Sequence, residues 1–229
     1  MSFLLLEPEV PFSEAVLGHP ENEFIEVNGQ ILHCLDQGEG PSLVLLHGFA
    51  SSAYSFRKLI DPLSERFRVL ALDLNGFGLT ERPREFEGYR IDEQARQIAA
   101  LLRRKGVDEA AVLGHSYGCV VGTVLAELYP DLVTKLVLVS PPSEFGAKPP
   151  WYMRNRVGLW VALFMIRALL SNPAKFHELS SKAFYVKSAL SKEDAEVYRR
   201  SMLTEGVKRA CYGFAKAFAR GGVSSLEYG

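Results

Sequence analysis

Residues Ala110-Ala-Val-Leu-Gly-His-Ser-Tyr-Gly-Cys-Val-Val-Gly-Thr-Val-Leu-Ala-Glu-Leu-Tyr129 decide how this chain is read. Ala110 to Leu113 is a short apolar run of buried-strand type, and Tyr117 to Tyr129 reads as a helix stopped by Pro130. Between them, Gly114-His115-Ser116-Tyr117-Gly118 fits the pattern G-x-S-x-G. So abrupt a strand-to-helix turn forces the serine backbone into strain, and the flanking glycines leave room for close approach. The Ser116 hydroxyl then stands at a helix N-terminus, where backbone N–H groups favour developing negative charge. A chance match in a strand–helix turn is the competing explanation, and the placement of the pentapeptide argues against it.

Similar alternation extends outward on both sides. Phe24 to Val27 and Gln30 to Leu35 flank Asn28-Gly29, a hairpin signal. Ser42–His47, Arg68–Asp73 and Lys135–Ser140 are further apolar runs of the kind found in parallel sheets covered on both faces. Tyr54–Glu65 and Ile91–Lys105 read as helices; in the second, Ile91, Ala95, Ile98 and Leu102 recur at helical spacing before Gly106. The whole predicts an α/β protein with a doubly wound, mostly parallel sheet. After Pro141-Pro142 no strand is predicted. Trp151–Leu170, Pro173–Tyr185, Lys192–Met202 and Glu205–Arg220 all read as helices, the third started by Ser191 with Asp194 three residues on. The expected organisation is a core over 1–143, a helical cap over 144–220 and a linker over 221–229.

His47-Gly48-Phe49 closes the first parallel strand. Acyl transfer needs two backbone donors for its oxyanion. The N–H groups of Tyr117, just after Ser116, and of Phe49, just after His-Gly, are the candidates. The alternative is that His47 and Gly48 merely make a tight turn.

The runs His47–Arg57 and Asp73-Leu-Asn-Gly-Phe-Gly-Leu-Thr-Glu-Arg-Pro83, followed by the serine turn, resemble the α/β-hydrolase superfamily. The likeness is greatest to its capped esterases, C–C hydrolases, epoxide hydrolases and dehalogenases, with specific motifs from about residue 24 to 143. It implies structural roles for Asp73 and the Gly76/Gly78 turn. The related dehalogenases and epoxide hydrolases carry Asp where this chain has Ser116. Serine favours an acyl-enzyme route on an ester, thioester, lactone or amide with an apolar acyl group, or hydrolysis of a C–C bond. A non-catalytic binding protein, and one half of a complementing pair, remain as rivals.

The resemblance also implies the chain order Ser, acid, His, with two further βα units after the cap to carry the last two. Those strands are expected to be absent from these 229 residues. Of five histidines only His177 follows Ser116; His19 and His33 read as surface or strand residues. Glu144 is the acid nearest the strand at 135–140. His177 and Glu144 are thus the remaining base and acid candidates, with a cap helix and a surface glutamate as their ordinary readings. Trp151, Trp160, Phe164, Met165, Phe176, Phe184 and Tyr185 are candidates for an apolar acyl pocket. The strand at 135–140 is expected to leave an edge open to self-association.

Lys and Arg number 26 against 27 Asp and Glu, which gives no electrostatic reason to expect nucleic acid. Residues 1–150 hold 13 basic and 21 acidic side chains and residues 151–229 hold 13 and 6, so the two parts are expected to dock by charge. The apolar window Val157–Ile166 is shorter than the roughly 20 residues a membrane span needs. Three scattered cysteines suggest neither disulfides nor zinc and fit a reducing compartment, hence a cytoplasmic location. No metal or organic cofactor is implied.

Overall fold

The computed structural model describes residues 22–142, 165, 168–182 and 184–219. Strands β1 (Asn22–Val27) and β2 (Gln30–Gln37) form the expected hairpin, with Val27 opposite Gln30. Asn28 and Gly29 both have positive φ, 51° and 77°, as a two-residue turn between twisted strands requires. β2 pairs antiparallel with β4 (Arg68–Leu72), while β3 (Ser42–Leu46), β4, β5 (Ala110–His115) and β6 (Val133–Val139) run parallel. The order is β1-β2-β4-β3-β5-β6.

Strand alternation divides the core between the two faces. Val44, Leu46, Leu70 and Leu72 face the cluster that holds helices α2 (Ile91–Arg104) and α3 (Tyr117–Leu128). Leu43, Leu45, Val69 and Ala71 face Phe56 and Ile60, which belong to a 3-10 turn (Ala53–Phe56) and to α1 (Arg57–Ser64). The stretch Tyr54–Glu65, expected as one helix, makes a 3-10 turn and then an α-helix.

The remaining helices are α4 (Pro173–Ser181), α5 (Lys192–Met202) and α6 (Val207–Ala219). The Ser191 side chain accepts a hydrogen bond from the Asp194 N–H at 2.9 Å, the expected cap of α5. Leu170, Phe176, Leu190, Ala195 and Leu203 make a small core of their own, whereas Ala210, Phe214 and Ala217 of α6 join the main core.

One ion pair across the junction joins Arg57 to Asp194 at 2.8 Å, a core cation with a helical-segment anion. Arg82 makes the deeper connection. It is 1% exposed, and donates to the carbonyls of Phe77, Gly78 and Thr80 in the core and of Ser201 in α5, and to the Thr204 hydroxyl. Burial pulls its pKa down to about 10, so it remains cationic at neutral pH. Replacing a buried cation that satisfies several carbonyls leaves those acceptors bare. Arg82→Met is expected to destabilise the fold by roughly 3 kcal/mol or more, read from urea unfolding; a loss below about 1 kcal/mol would show that the carbonyls find other donors.

Candidate active site

β5 ends at His115 and α3 begins at Tyr117, so Ser116 alone makes the corner. Its φ is 49° and ψ −113°, a conformation an L-residue adopts only under constraint. The constraint is visible on both sides. The Ser116 N–H donates to the Val139 carbonyl of β6 at 3.0 Å, and its own carbonyl accepts from the Cys119 N–H at 2.9 Å. A Cβ on Gly118 would lie 2.1 Å from the Leu46 carbonyl oxygen, and one on Gly114 2.4 Å from that of Gly118. The two glycines of G-x-S-x-G are therefore required by backbone contacts.

The turn after β3 packs onto this corner. A Cβ at Gly48 would meet the Ser116 Cβ at 3.3 Å and His115 Nδ1 at 3.2 Å. His47 holds the turn from below and is fully buried. Its Nδ1 lies 2.7 Å from the Gly48 carbonyl, and its Nε2 accepts from the Leu74 N–H at 3.0 Å. This pairing sets the neutral tautomer with Nδ1 protonated. Burial works in the same sense and lowers its pKa. His47 is accordingly a structural residue of the turn.

Phe49 follows, half exposed, with its ring edge-on to Phe77, Tyr117 and Phe214 at 5.1, 5.8 and 5.3 Å. Phe77 and Phe214 stack at 4.7 Å. The Tyr117 hydroxyl accepts from Gln94 Nε2 at 2.7 Å. Burial pushes its pKa up, so it stays neutral. Its N–H opens α3, among the donors that a helix start leaves without an intrahelical acceptor. Ser116, Phe49 and Tyr117 are thus brought together beside an aromatic wall.

His177 sits on α4 with Nε2 3.0 Å from the Leu190 carbonyl, and among the described residues no hydrogen bond joins it to Ser116. Glu144, Trp151, Trp160 and Phe164 lie outside the described residues. Phe176 is buried in the helical segment's own core, while Met165, Phe184 and Tyr185 are exposed. Among the described residues of that segment, Phe214 reaches the site, and no sequence signal singles it out.

His33 has a larger structural role than its place on a strand indicates. It is on a strand, as expected, but 5% exposed, with Nδ1 2.7 Å from Asp73 Oδ2 and Nε2 2.9 Å from Asn22 Oδ1. The β2–β4 register, with Cys34 opposite Leu72, brings the two side chains together. Asp73 also accepts from the Ala53 and Leu79 N–H groups at 2.6 and 2.7 Å.

Residues 41–214 match the family described as alpha/beta hydrolase fold. The chain belongs to that family. It is 26% identical to the AB hydrolase superfamily protein YfhM of Bacillus subtilis, over 88% of this chain and 74% of that one. It is 36% identical to haloalkane dehalogenase 2 of Mycobacterium tuberculosis, over 52% of this chain and 41% of that one. It spans 21% of bifunctional epoxide hydrolase 2 of Sus scrofa. Among solved structures, epoxide hydrolase VrEH1 from Vigna radiata superposes with a TM-score of 0.72 at 25% identity, over 88% of this chain and 72% of that one. The α/β-hydrolase fold is therefore shown. No described helix is long and apolar enough to cross a membrane.

Asp73 sets the acid limit of this α/β-hydrolase. Burial alone would raise its pKa, but His33, then His47 and the Leu79 N–H, outweigh it and hold the carboxyl at about 2, against the usual 3.8. The unfolded chain therefore takes up this proton first, so the contribution is complete above about pH 4 and lost as pH falls towards 2. It amounts to roughly 2 kcal/mol. His47, lowered by burial, adds a further loss as pH falls below 6.5. Asp73→Asn is expected to remove the acid-limb dependence between pH 4 and 2 and to lower stability at pH 7 by about 2 kcal/mol, as denaturant melts at stepped pH would record.

Proposed function

We propose that this chain is a serine hydrolase that attacks the carbonyl of an ester, thioester or related substrate with an apolar acyl group. The observation that carries this reading is the strained Ser116 corner, which presents the side chain at the start of α3 beside the Phe49 turn. Ser116 Oγ adds to the carbonyl carbon, and the oxygen takes up negative charge towards the N–H groups of Phe49 and Tyr117. Collapse expels the alcohol or thiol, which takes up the proton that the Ser116 hydroxyl gave up, and leaves an acyl-serine ester. Water then releases the carboxylic acid and restores the hydroxyl.

The relatives named as epoxide hydrolase and haloalkane dehalogenase support hydrolysis in general. Their substrates fit serine poorly. Attack by a serine oxygen on an epoxide or haloalkane carbon would leave an ether, which water at a mild site does not cleave, whereas an acyl-serine ester is labile. The same logic keeps a C–C bond next to a carbonyl as the alternative substrate. The serine proton needs a base. We read His177, held by the Leu190 carbonyl, as a structural residue of the cap, and Glu144 as a remaining acid candidate.

A fluorophosphonate probe and short p-nitrophenyl esters test the proposal. Labelling and any esterase activity are expected to disappear in Ser116→Ala and to persist in His177→Ala. Activity that survives Ser116→Ala, or is lost only with His177, would overturn it, and a wild-type chain that takes no label would favour a binding role.

We further propose that β6 pairs with a second copy of the chain. Val137, Leu138 and Val139 are 48%, 42% and 41% exposed, and among the described residues no strand lies on the outer side of β6. An apolar open edge is a template for another strand, and a two-fold pairing would satisfy it. Val137→Lys is expected to shift sedimentation towards the monomer; a wild-type chain already monomeric at tens of micromolar would overturn the pairing.

A further inference from the structure

A cavity of about 340 Å³ lies between the β2–β4 side of the core and helix α5. Small-molecule sites span roughly 300–1,000 Å³. Neither Ser116, Phe49, Tyr117 nor Phe214 lines it. Leu35, Ile60 and Leu79 of the core and Val197 of α5 make its apolar walls.

Two features of the polar lining define what would fit. The charges are already engaged. Both Asp73 oxygens accept from His33, Ala53 and Leu79, and the Arg57 guanidinium is paired with Asp194 at 2.8 Å. A charged ligand would enter without a counter-charge, which disfavours it strongly. Hydroxyls, in contrast, retain capacity. Ser52 lines the cavity and is 4% exposed, yet among the described residues its hydroxyl has no hydrogen-bond partner. It stands at the N-cap of the 3-10 turn without capping it. The hydroxyl therefore keeps its donor and its lone pairs for a bound molecule. Two neighbours donate elsewhere and keep lone pairs: Ser201 to the Tyr198 carbonyl, and Tyr54 to Asp194, each at 2.8 Å. The lining therefore offers the Ser52 hydroxyl as donor and acceptor and two further hydroxyl acceptors, beside the apolar walls of Leu35, Ile60, Leu79 and Val197.

We propose that this cavity is a second binding site, separate from Ser116, for a small uncharged molecule with an apolar body and a hydroxyl or amide group. The inference does not depend on the hydrolase reading, because no residue of the serine corner takes part.

Cyclohexanol is a suitable probe, titrated into the isotope-labelled protein and followed by NMR. Intermolecular NOEs are expected between its ring and the methyl groups of Leu79 and Val197. Its dissociation constant is expected to rise roughly tenfold or more in Val197→Trp, which fills the cavity, and roughly threefold to tenfold in Ser52→Ala, for one lost hydrogen bond. Ser116→Ala is expected to bind it as the wild type does. Cyclohexanecarboxylate and cyclohexylammonium are expected to bind at least about tenfold more weakly than the alcohol. Absence of the NOEs, unchanged affinity in Ser52→Ala and Val197→Trp, loss of binding in Ser116→Ala, or equal binding of the charged analogues would each overturn the site. The NOEs are read on the wild type, so a Val197→Trp chain that folds poorly does not remove the test.

Discussion

The carboxylate of Asp73 is the constraint on which the functional end of the sheet depends. It is wholly buried, and its oxygens collect donors from three separate pieces of chain: His33 of β2, the Ala53 N–H after β3 and the Leu79 N–H after β4. Thr80 closes the circuit by donating to the Asp73 carbonyl while accepting from the His33 N–H. A buried charge is unfavourable unless such bonds are complete, and when complete they fix their donors in place. The loops leaving β3 and β4 are thereby held together. Phe49 comes from the first and Phe77 from the second, and their edge-to-face contact follows from that tie.

On this platform the helical segment is seated by aromatic packing and by one buried cation. Phe214 slots among Phe49, Phe77, Tyr89 and Tyr117, and aromatic pairs of this kind contribute about 0.5–1.5 kcal/mol each beyond their buried area. Arg82 reaches from the same β4 loop to Ser201 and Thr204. Both contacts start from the loop that Asp73 anchors. Serine corner, aromatic wall and the cavity beside α5 are therefore linked through the loops at one end of the sheet.

Ser116 shows how strain is maintained locally. Its positive φ is supported by β6, through the Val139 carbonyl, and by the Leu46 backbone, which presses on Gly118. Cys119 adds Sγ contacts to the Gly114 and Val139 carbonyls at 3.1 and 3.3 Å. The corner is thus determined by neighbours on both sides.

The sequence by itself determined the alternation of strands and helices, the Asn28-Gly29 hairpin and the serine corner. Each is encoded by short-range rules: apolar runs, a two-residue turn, and glycines at fixed offsets from Ser116. Asp73 was legible as a structural residue only through the resemblance. Its partner His33 was not, because the pair forms through the antiparallel register of β2 on β4, forty positions apart in the chain. Phe214 and Arg82 were hidden for the same reason. An aromatic on an amphipathic helix and an arginine in a loop look like ordinary core and surface residues until another segment covers them. Charge summed over whole segments does not say which residues meet, whereas tertiary structure selects particular desolvated contacts such as Arg57 with Asp194. The cavity beside α5 belongs wholly to tertiary structure, since the space between two packed segments is a property of neither segment alone.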